Sequence, residues 1–424
     1  MAMMASSALR AFRASFGPGL LWAAAAIGVS HLVQSTRAGA LAGLAPASII
    51  LIALILKYPF FEYGPRYAAA TGTSLVEGYR SIGRWALWLY LGITLSTALI
   101  VQAAVVLFTS FLIRFVFGLS WSVPLIGGLV CASCATLLFA GRFRALDAAV
   151  KVLLVVLAAS TVVAAAVATP GIDADTLTWW PRISASDGLS LGFVLALVGW
   201  MPSAIDISVW SSLWTLEKDR TMGVRTSPGV VLADFRVGYA ATGLLAFAFL
   251  VLGAALMHAS GGSFSPQGTR FSAQLVELYT ATLGSWTRPV VVAAVLTTML
   301  STSLTVIDGF PRAIARSLGA VHGVAPDGEH RRSDGPYWTT LASLGVLTVV
   351  VLALFLGSLT AMVDFATIVS FLTAPVLGYL NLRAVRSDEV PARLRPGPGL
   401  LFVSYAGLAL LGGVALVYLG SRLG

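Results

Sequence analysis

The sequence predicts an all-α integral membrane protein: two inverted five-helix repeats plus an eleventh helix, with helices 1 and 6 broken at the bilayer midplane. Three observations carry this. Of 424 residues, 58% are hydrophobic and only 11% charged, with a mean hydropathy of +0.88; soluble domains average about 25% charged. Apolar stretches of roughly 20 residues, the length that crosses a bilayer, recur about eleven times. Two of them are interrupted, by Gly28-Val29-Ser30-His31 within Gly17–Leu41 and by Gly199-Trp200-Met201-Pro202-Ser203 within Leu189–Trp214.

The interruptions define the organisation. Backbone groups in hydrocarbon must be satisfied internally, so unwound chain persists in a membrane only where it lines a cavity. Interrupted segments in corresponding positions of two halves point to a substrate site at the repeat interface. The first five segments end near Thr169, and a polar linker with Pro170-Gly171 and Trp179-Trp180-Pro181 leads into the next five. An odd number of spans per repeat inverts the second copy. The repeats are expected at about 14–169 and 188–385 of a single 1–424 domain, with the accessory helix at 398–421. The stretch Ser260–Trp286 is expected to hold a short lid helix on apolar Leu275, Val276, Leu278 and Tyr279. Gly319–Pro336, polar and glycine-containing, reads as a mobile loop.

Charge orients the segments. Arg10 and Arg13 precede the first; Arg80, Arg84, Arg142, Arg144, Lys218, Arg220, Arg225, Arg331, Arg332, Arg383, Arg386, Arg393 and Arg395 fall in alternate loops, whereas the loop with Asp173, Asp175 and Asp187 is acidic. This positive-inside pattern predicts a multi-pass protein of a cell inner (plasma) membrane, N-terminus cytoplasmic and C-terminal Ser421-Arg422-Leu423-Gly424 outside. The net charge of +9 is spread over separate loops rather than gathered in one stripe, which excludes a nucleic-acid partner. Cys131 and Cys134 sit among small residues in the fourth segment and read as packing residues. The N-terminus lacks the pattern of a cleaved signal peptide, so the first segment is expected to stay in the membrane. The expected partners are the bilayer and a small substrate, and the expected state is a monomer.

Several motifs carry a family resemblance. Gly17-Pro18-Gly19-Leu20-Leu21 before the first break, Met201-Pro202-Ser203 in the second, and Thr302-Ser303-Leu304-Thr305 before Asp308-Gly309 together resemble the Nramp family of divalent metal transporters. The resemblance implies a LeuT-type fold and a divalent metal ion as cargo. In that family an Asp and an Asn of the first helix and a Met of the sixth contact the ion. Here Met201 keeps its place, while the carboxylate position is Gly28 and the amide position His31. The family's sixth-helix His corresponds to Ser203, and its acidic third-helix positions to Gly92 and Leu99, with Gln102 nearby.

The candidate site residues follow from the breaks. Gly28, His31, Gln34, Val198, Met201, Ser203 and Asp206 are the candidate substrate contacts. An imidazole (His31), a thioether (Met201) and a carboxylate (Asp206), with carbonyls such as those of Ala25 and Val198, would suit a soft transition metal better than magnesium or calcium. His31 reads either as a ligand or as a hydrogen-bonded interhelical histidine. Asp206, a carboxylate in an apolar run, is functional by default; it either faces the cavity or pairs with Arg37. Arg37 would repel a dication and suits a substrate carboxylate. Lys57, Glu62 and Arg66 fall near the cytoplasmic end of the second segment, where the i, i+4 spacing of Glu62 and Arg66 predicts a gating or structural ion pair. Asp308 interrupts the eighth segment and would cap a kink or relay protons. Ser370 and Thr373 are further hydrogen-bonding candidates in the cavity.

These readings converge on a secondary transporter working by alternating access, with a transition-metal ion as cargo, no resident cofactor and an unassigned coupling ion. Two alternatives stay open: the same fold carrying a small organic solute or amino acid, and a non-transporting membrane receptor. No Ser/His/Asp, zinc-ligand or phosphate-loop spacing occurs, so an enzyme is not expected.

Overall fold

The computed structural model describes residues 18–140, 143–172, 178, 180–184, 189–324, 335–354 and 358–423. Arg10, Arg13, Arg142, Asp173, Asp175, Trp179, Asp187, Arg331 and Arg332, as well as most of the expected mobile loop, lie outside them. Among the described residues, eight helical spans are long and apolar enough to cross a membrane, and Val123–Phe139 is a shorter apolar helix. The two interrupted segments complete the eleven.

The first segment is α1 (Pro18–Ala26), a π-helical turn (Ser30–Ser35) and α2 (Thr36–Ala42). It is followed by α3 (Ala47–Thr71), the short α4 (Leu75–Ile82), α5 (Arg84–Phe117), α6 (Val123–Phe139) and α7 (Phe143–Ala168). The sixth segment is α8 (Leu191–Gly199) and α9 (Ile207–Met222). Then come α10 (Pro228–Gly253, prolonged by a π turn to His258), α11 (Gly268–Leu283), α12 (Arg288–Val321), α13 (Gly335–Leu354), α14 (Leu359–Val385) and α15 (Pro398–Leu423). The expected lid helix is α11, packed on α5 through an edge-on Phe108–Phe271 pair at 5.9 Å. The eighth segment differs from expectation: α12 runs unbroken through Asp308 and Pro311, because Pro311 follows enough helical turn for its neighbours to hold the backbone.

Glycine contacts set the close crossings that frame the breaks. A Cβ at Gly39 would lie 2.1 Å from the Leu250 carbonyl oxygen, one at Gly253 2.1 Å from that of Thr36, and one at Gly64 2.0 Å from that of Ser208. Thus α2 lies backbone to backbone on α10, and α9 on α3, the small-residue packing that replaces a hydrophobic drive within lipid. Behind α1, Trp22 packs against Phe61, Phe235 and Tyr239 with ring centroids 5.5, 5.3 and 5.3 Å away. Such pairs add about 0.5–1.5 kcal/mol each beyond simple burial, and they tie the first half of segment 1 to α3 and α10.

Candidate functional site

The first break is short. Helix α1 ends at Ala26, and the chain resumes through a turn in which the Gly28 carbonyl accepts from the His31 and Leu32 amides at 3.1 and 2.9 Å. The loosened carbonyls are met by hydroxyls. Ser30 Oγ donates to the Ala26 carbonyl at 2.8 Å, and Thr302 Oγ1 of α12 lies 3.2 Å from the Ile27 carbonyl oxygen. A Cβ on Gly28 would sit 2.9 Å from both Thr302 Oγ1 and Cγ2. The absence of a side chain at position 28 is therefore what lets α12 approach the break.

The second break is longer and held differently. Seven residues, Trp200 to Asp206, separate α8 from α9, and the Met201–Pro202 bond is cis. Lys57 of α3, fully buried, donates from Nζ to the carbonyls of Val198, Gly199 and Ser203 at 2.9, 3.0 and 2.9 Å. Trp200 Nε1 donates to Ser370 Oγ of α14 at 2.8 Å. Gly199 lies against α14, where an added Cβ would stand 2.0 Å from the Thr367 carbonyl oxygen.

Between the breaks lies a cavity of about 40 Å³, bounded by Gly28, Ser30, Trp200, Ser203, Trp210 and Thr302 among others. Space of this size admits waters or an ion. Of the predicted contacts, Gly28 and Ser203 line it; His31, Gln34, Val198, Met201 and Asp206 do not. His31 is fully buried, with Nε2 2.9 Å from the Thr242 carbonyl of α10 and Nδ1 2.7 Å from Ser30 Oγ. Both ring nitrogens are thus engaged, Nε2 in joining segment 1 to α10 and Nδ1 within segment 1. Met201 is fully buried too. The Val198 carbonyl, expected to be open, is occupied by Lys57.

Asp206 and Arg37 do not pair. Arg37 forms a bidentate ion pair with Asp364 of α14 at 2.7 and 3.1 Å, and Gln34 bridges the same network. Its guanidinium also lies 4.9 Å over the Phe193 ring of α8. The network therefore joins α2, α8 and α14 and neutralises the cation that would otherwise repel a dication. Asp206 is 1% exposed and turns to α5, with Oδ1 3.5 Å from Thr97 Oγ1 and no hydrogen-bond partner for Oδ2 among the described residues. The polar face that α5 buries is Tyr90, Thr94 and Thr97, whereas Gly92 faces outward.

Several of the remaining buried charges form ion pairs. Glu62 binds Arg66 within α3, and Arg66 also donates to the Leu394 carbonyl at 2.8 Å. Asp308 accepts from Arg312 at 2.8 and 3.1 Å and from Tyr337 at 2.8 Å. Glu77 of α4 binds Arg316 of α12. Cys131 and Cys134 are buried free thiols. Among the described residues no three His, Cys, Asp or Glu side chains cluster as a metal site. Sequence reasoning missed Lys57 at the break and Asp364 as the partner of Arg37. A lone lysine in the apolar run Leu51–Phe61 was the available signal, since an intramembrane cation is seldom without purpose.

Two interrupted helices crossing a bundle around an ion-sized cavity are the arrangement of an alternating-access secondary transporter. Comparison with known proteins agrees. The chain superimposes on a manganese transporter of Eremococcus coleocola with a TM-score of 0.73, at 14% identity, over 98% of this chain and 88% of that one. It superimposes on Mhp1, a nucleobase-cation-symport-1 family transporter, with a TM-score of 0.55 over 96% of this chain and 93% of the other. At that identity the likeness is one of fold, the LeuT type. An uncharacterised protein of Pasteurella multocida (strain Pm70) is 34% identical over 413 residues, covering 97% of this chain and 93% of its own. The family model described as natural resistance-associated macrophage protein-like matches residues 19–421. The chain belongs to the Nramp family.

Proposed function

We propose that this Nramp-family secondary transporter carries a divalent transition-metal ion through the cavity between the two breaks, by rocking the elements of segments 1 and 6 against the surrounding helices. The cavity's size carries the reading. About 40 Å³ accepts an ion, whereas sites for drug-sized organic ligands run to about 300 Å³ or more. The similarity to a manganese transporter supports the same cargo class.

The ligand chemistry departs from the family's. Ser30, Ser203 and Thr302 border the cavity; the carboxylate of Asp206 turns to α5, but its chain position between the lining residues Ala204 and Ile207 makes it the acid that would replace the charge missing at Gly28 once the second break rearranges around a cargo. His31 and Met201 stand behind this wall, and reach a cargo only in a different state of the cycle. A cargo shifts the conformational equilibrium only by its differential affinity for the two states, so rearrangement of the Arg37–Asp364 and Glu77–Arg316 pairs is expected to accompany transport. We place the protein in an inner membrane as a monomer, with a cytoplasmic N-terminus and an external C-terminus, on the alternation of basic loops, and assign it no enzymatic activity.

The test is isothermal titration of the purified protein with manganese, cadmium and nickel, beside Asp206→Asn. Saturable binding weakened at least about tenfold by the substitution, the equivalent of about 1.4 kcal/mol, is expected. Folded protein that binds none of the three would overturn the metal reading and direct the search to organic solutes.

A further inference from the structure

The environment of Lys57 is that of a bound cation rather than of a lysine in an ion pair. Its ammonium has three N–H donors, and all three are matched by carbonyl oxygens at 2.9–3.0 Å, from Val198, Gly199 and Ser203. A neutral amine has only two N–H groups, so three accepting carbonyls call for the charged form. No carboxylate lies within ion-pair distance of Nζ among the described residues. The remaining neighbour is the face of Phe61, 5.5 Å from Nζ, a surface that attracts cations through its quadrupole. Two of the carbonyls close α8, at the negative end of the helix dipole; that of Val198 also accepts from the Met201 amide at 3.2 Å, while that of Gly199 is one of the acceptors a helix end leaves over. The third comes from the unwound chain beyond. Carbonyls from both sides of a helix break, gathered about one positive centre in a buried position, form an ion cage.

We propose that the second break contains a monovalent-cation site whose occupant is the tethered ammonium of Lys57. The cage is selective for a cation of ammonium or potassium size and takes a free one when the tether is removed. The break is thereby held by a tethered charge, and no soluble ion needs to bind there for α8 and the following loop to keep their relative positions. The same charge makes the Val198 and Gly199 carbonyls unavailable to a cargo. The proposal does not depend on the identity of the cargo, and its test uses no transported substrate.

The full-length protein, purified in detergent, is unfolded thermally in lithium, sodium, potassium or ammonium chloride, with choline chloride matching ionic strength. Wild-type protein should melt at one temperature in all five. Lys57→Ala leaves a space, the Gly199 and Ser203 carbonyls without their donor and the Val198 carbonyl held only by backbone amides; it should melt lower in choline and recover at least half of the loss, saturably, in potassium or ammonium, or with added propylammonium. Lys57→Met, which fills the space without charge, should be destabilised in every salt alike. Should Lys57→Ala not survive purification in choline, the yield of monodisperse protein in ammonium relative to choline reads the same property. A variant as stable as wild type, one that responds equally to choline and potassium, or one that no cation restores would overturn the proposal. Cargo titration of the wild type is a separate experiment, so failure of the metal reading leaves this result intact.

Discussion

The two breaks solve the same problem with opposite means. In segment 1 the interruption is confined to a few residues, and hydroxyls of Ser30 and Thr302 meet the freed carbonyls. In segment 6 it spans seven residues, and a buried ammonium gathers three carbonyls at once. A hydroxyl contact can be exchanged for water or a cargo at little cost, because a neutral hydrogen bond is worth only about 1 kcal/mol net. A charge-assisted cage is roughly twice as strong per bond. The first break is accordingly the adaptable wall of the cavity and the second the fixed one. Asp206, the lone acid of the second break, faces α5 instead of Lys57, so the two charges act on different neighbours.

The largest effect should come from pressing on the fixed wall. At Gly199 a Cβ would stand 2.0 Å from the Thr367 carbonyl oxygen and 3.3 Å from Phe371 Cβ, and α8 cannot withdraw without breaking the Lys57 contacts. Gly199→Val should cost about 3 kcal/mol or more and abolish monodisperse protein, as read by size-exclusion chromatography. Normal expression would mean that α8 can shift and that the second wall is not fixed.

His31→Ala comes next. It removes the ring that joins Ser30 to the Thr242 carbonyl and leaves its fully buried space empty, a loss of about 1–3 kcal/mol. Thermal stability should fall while metal affinity changes less than it does in Asp206→Asn. Abolished binding at unchanged stability would move His31 from the framework to the ligand set.

The Arg37–Asp364 pair sharpens the comparison from the side of α14. Its side chains are 14% and 28% exposed, so screening limits its value, and a double-mutant cycle with Arg37→Met and Asp364→Asn should give a coupling of about 1 kcal/mol. The cycle of Arg37→Met with Asp206→Asn should give none. Coupling in the second cycle would show that Asp206 reaches segment 1 in solution.

How much of this was legible in the sequence depends on the length scale of each feature. The eleven spans follow from apolar runs of bilayer length, and the breaks from Gly28 and Gly199-Trp200-Met201-Pro202, because local chain chemistry decides both. The motifs at Met201-Pro202 and Thr302 brought the family into view. Side-chain partners were not legible, because they depend on helix rotation. The first segment carries His31 and Gln34 one turn apart, yet the π turn at Ser30–Ser35 shifts their register, and His31 turns to α10 while Gln34 turns to α14. Lys57 looked like a neighbour of Glu62 and Arg66 along α3; five residues of helix, rising about 1.5 Å each, carry it away from that pair and up to the break. The Asp308 position reads as an interruption only if Gly309 and Pro311 are taken as breakers, and tertiary packing overrides both.

The smallest prediction tests the adaptable wall directly. In an ordinary helix, alanine would be favoured over glycine by about 0.5–1 kcal/mol. At Gly28 the new Cβ meets Thr302 Oγ1 and Cγ2 at 2.9 Å, and Thr302 Cβ at 3.3 Å, so the preference should be reversed. Gly28→Ala is expected to lower stability by about 1 kcal/mol, an effect that a shift of one threonine rotamer can absorb in part. In a Thr302→Ala background the closest two contacts are gone, and the same substitution should cost measurably less. Thermal unfolding of the four proteins reads this coupling. A penalty unchanged by loss of the Thr302 side chain would mean that position 28 requires glycine for its backbone, and that the first break is as rigid as the second.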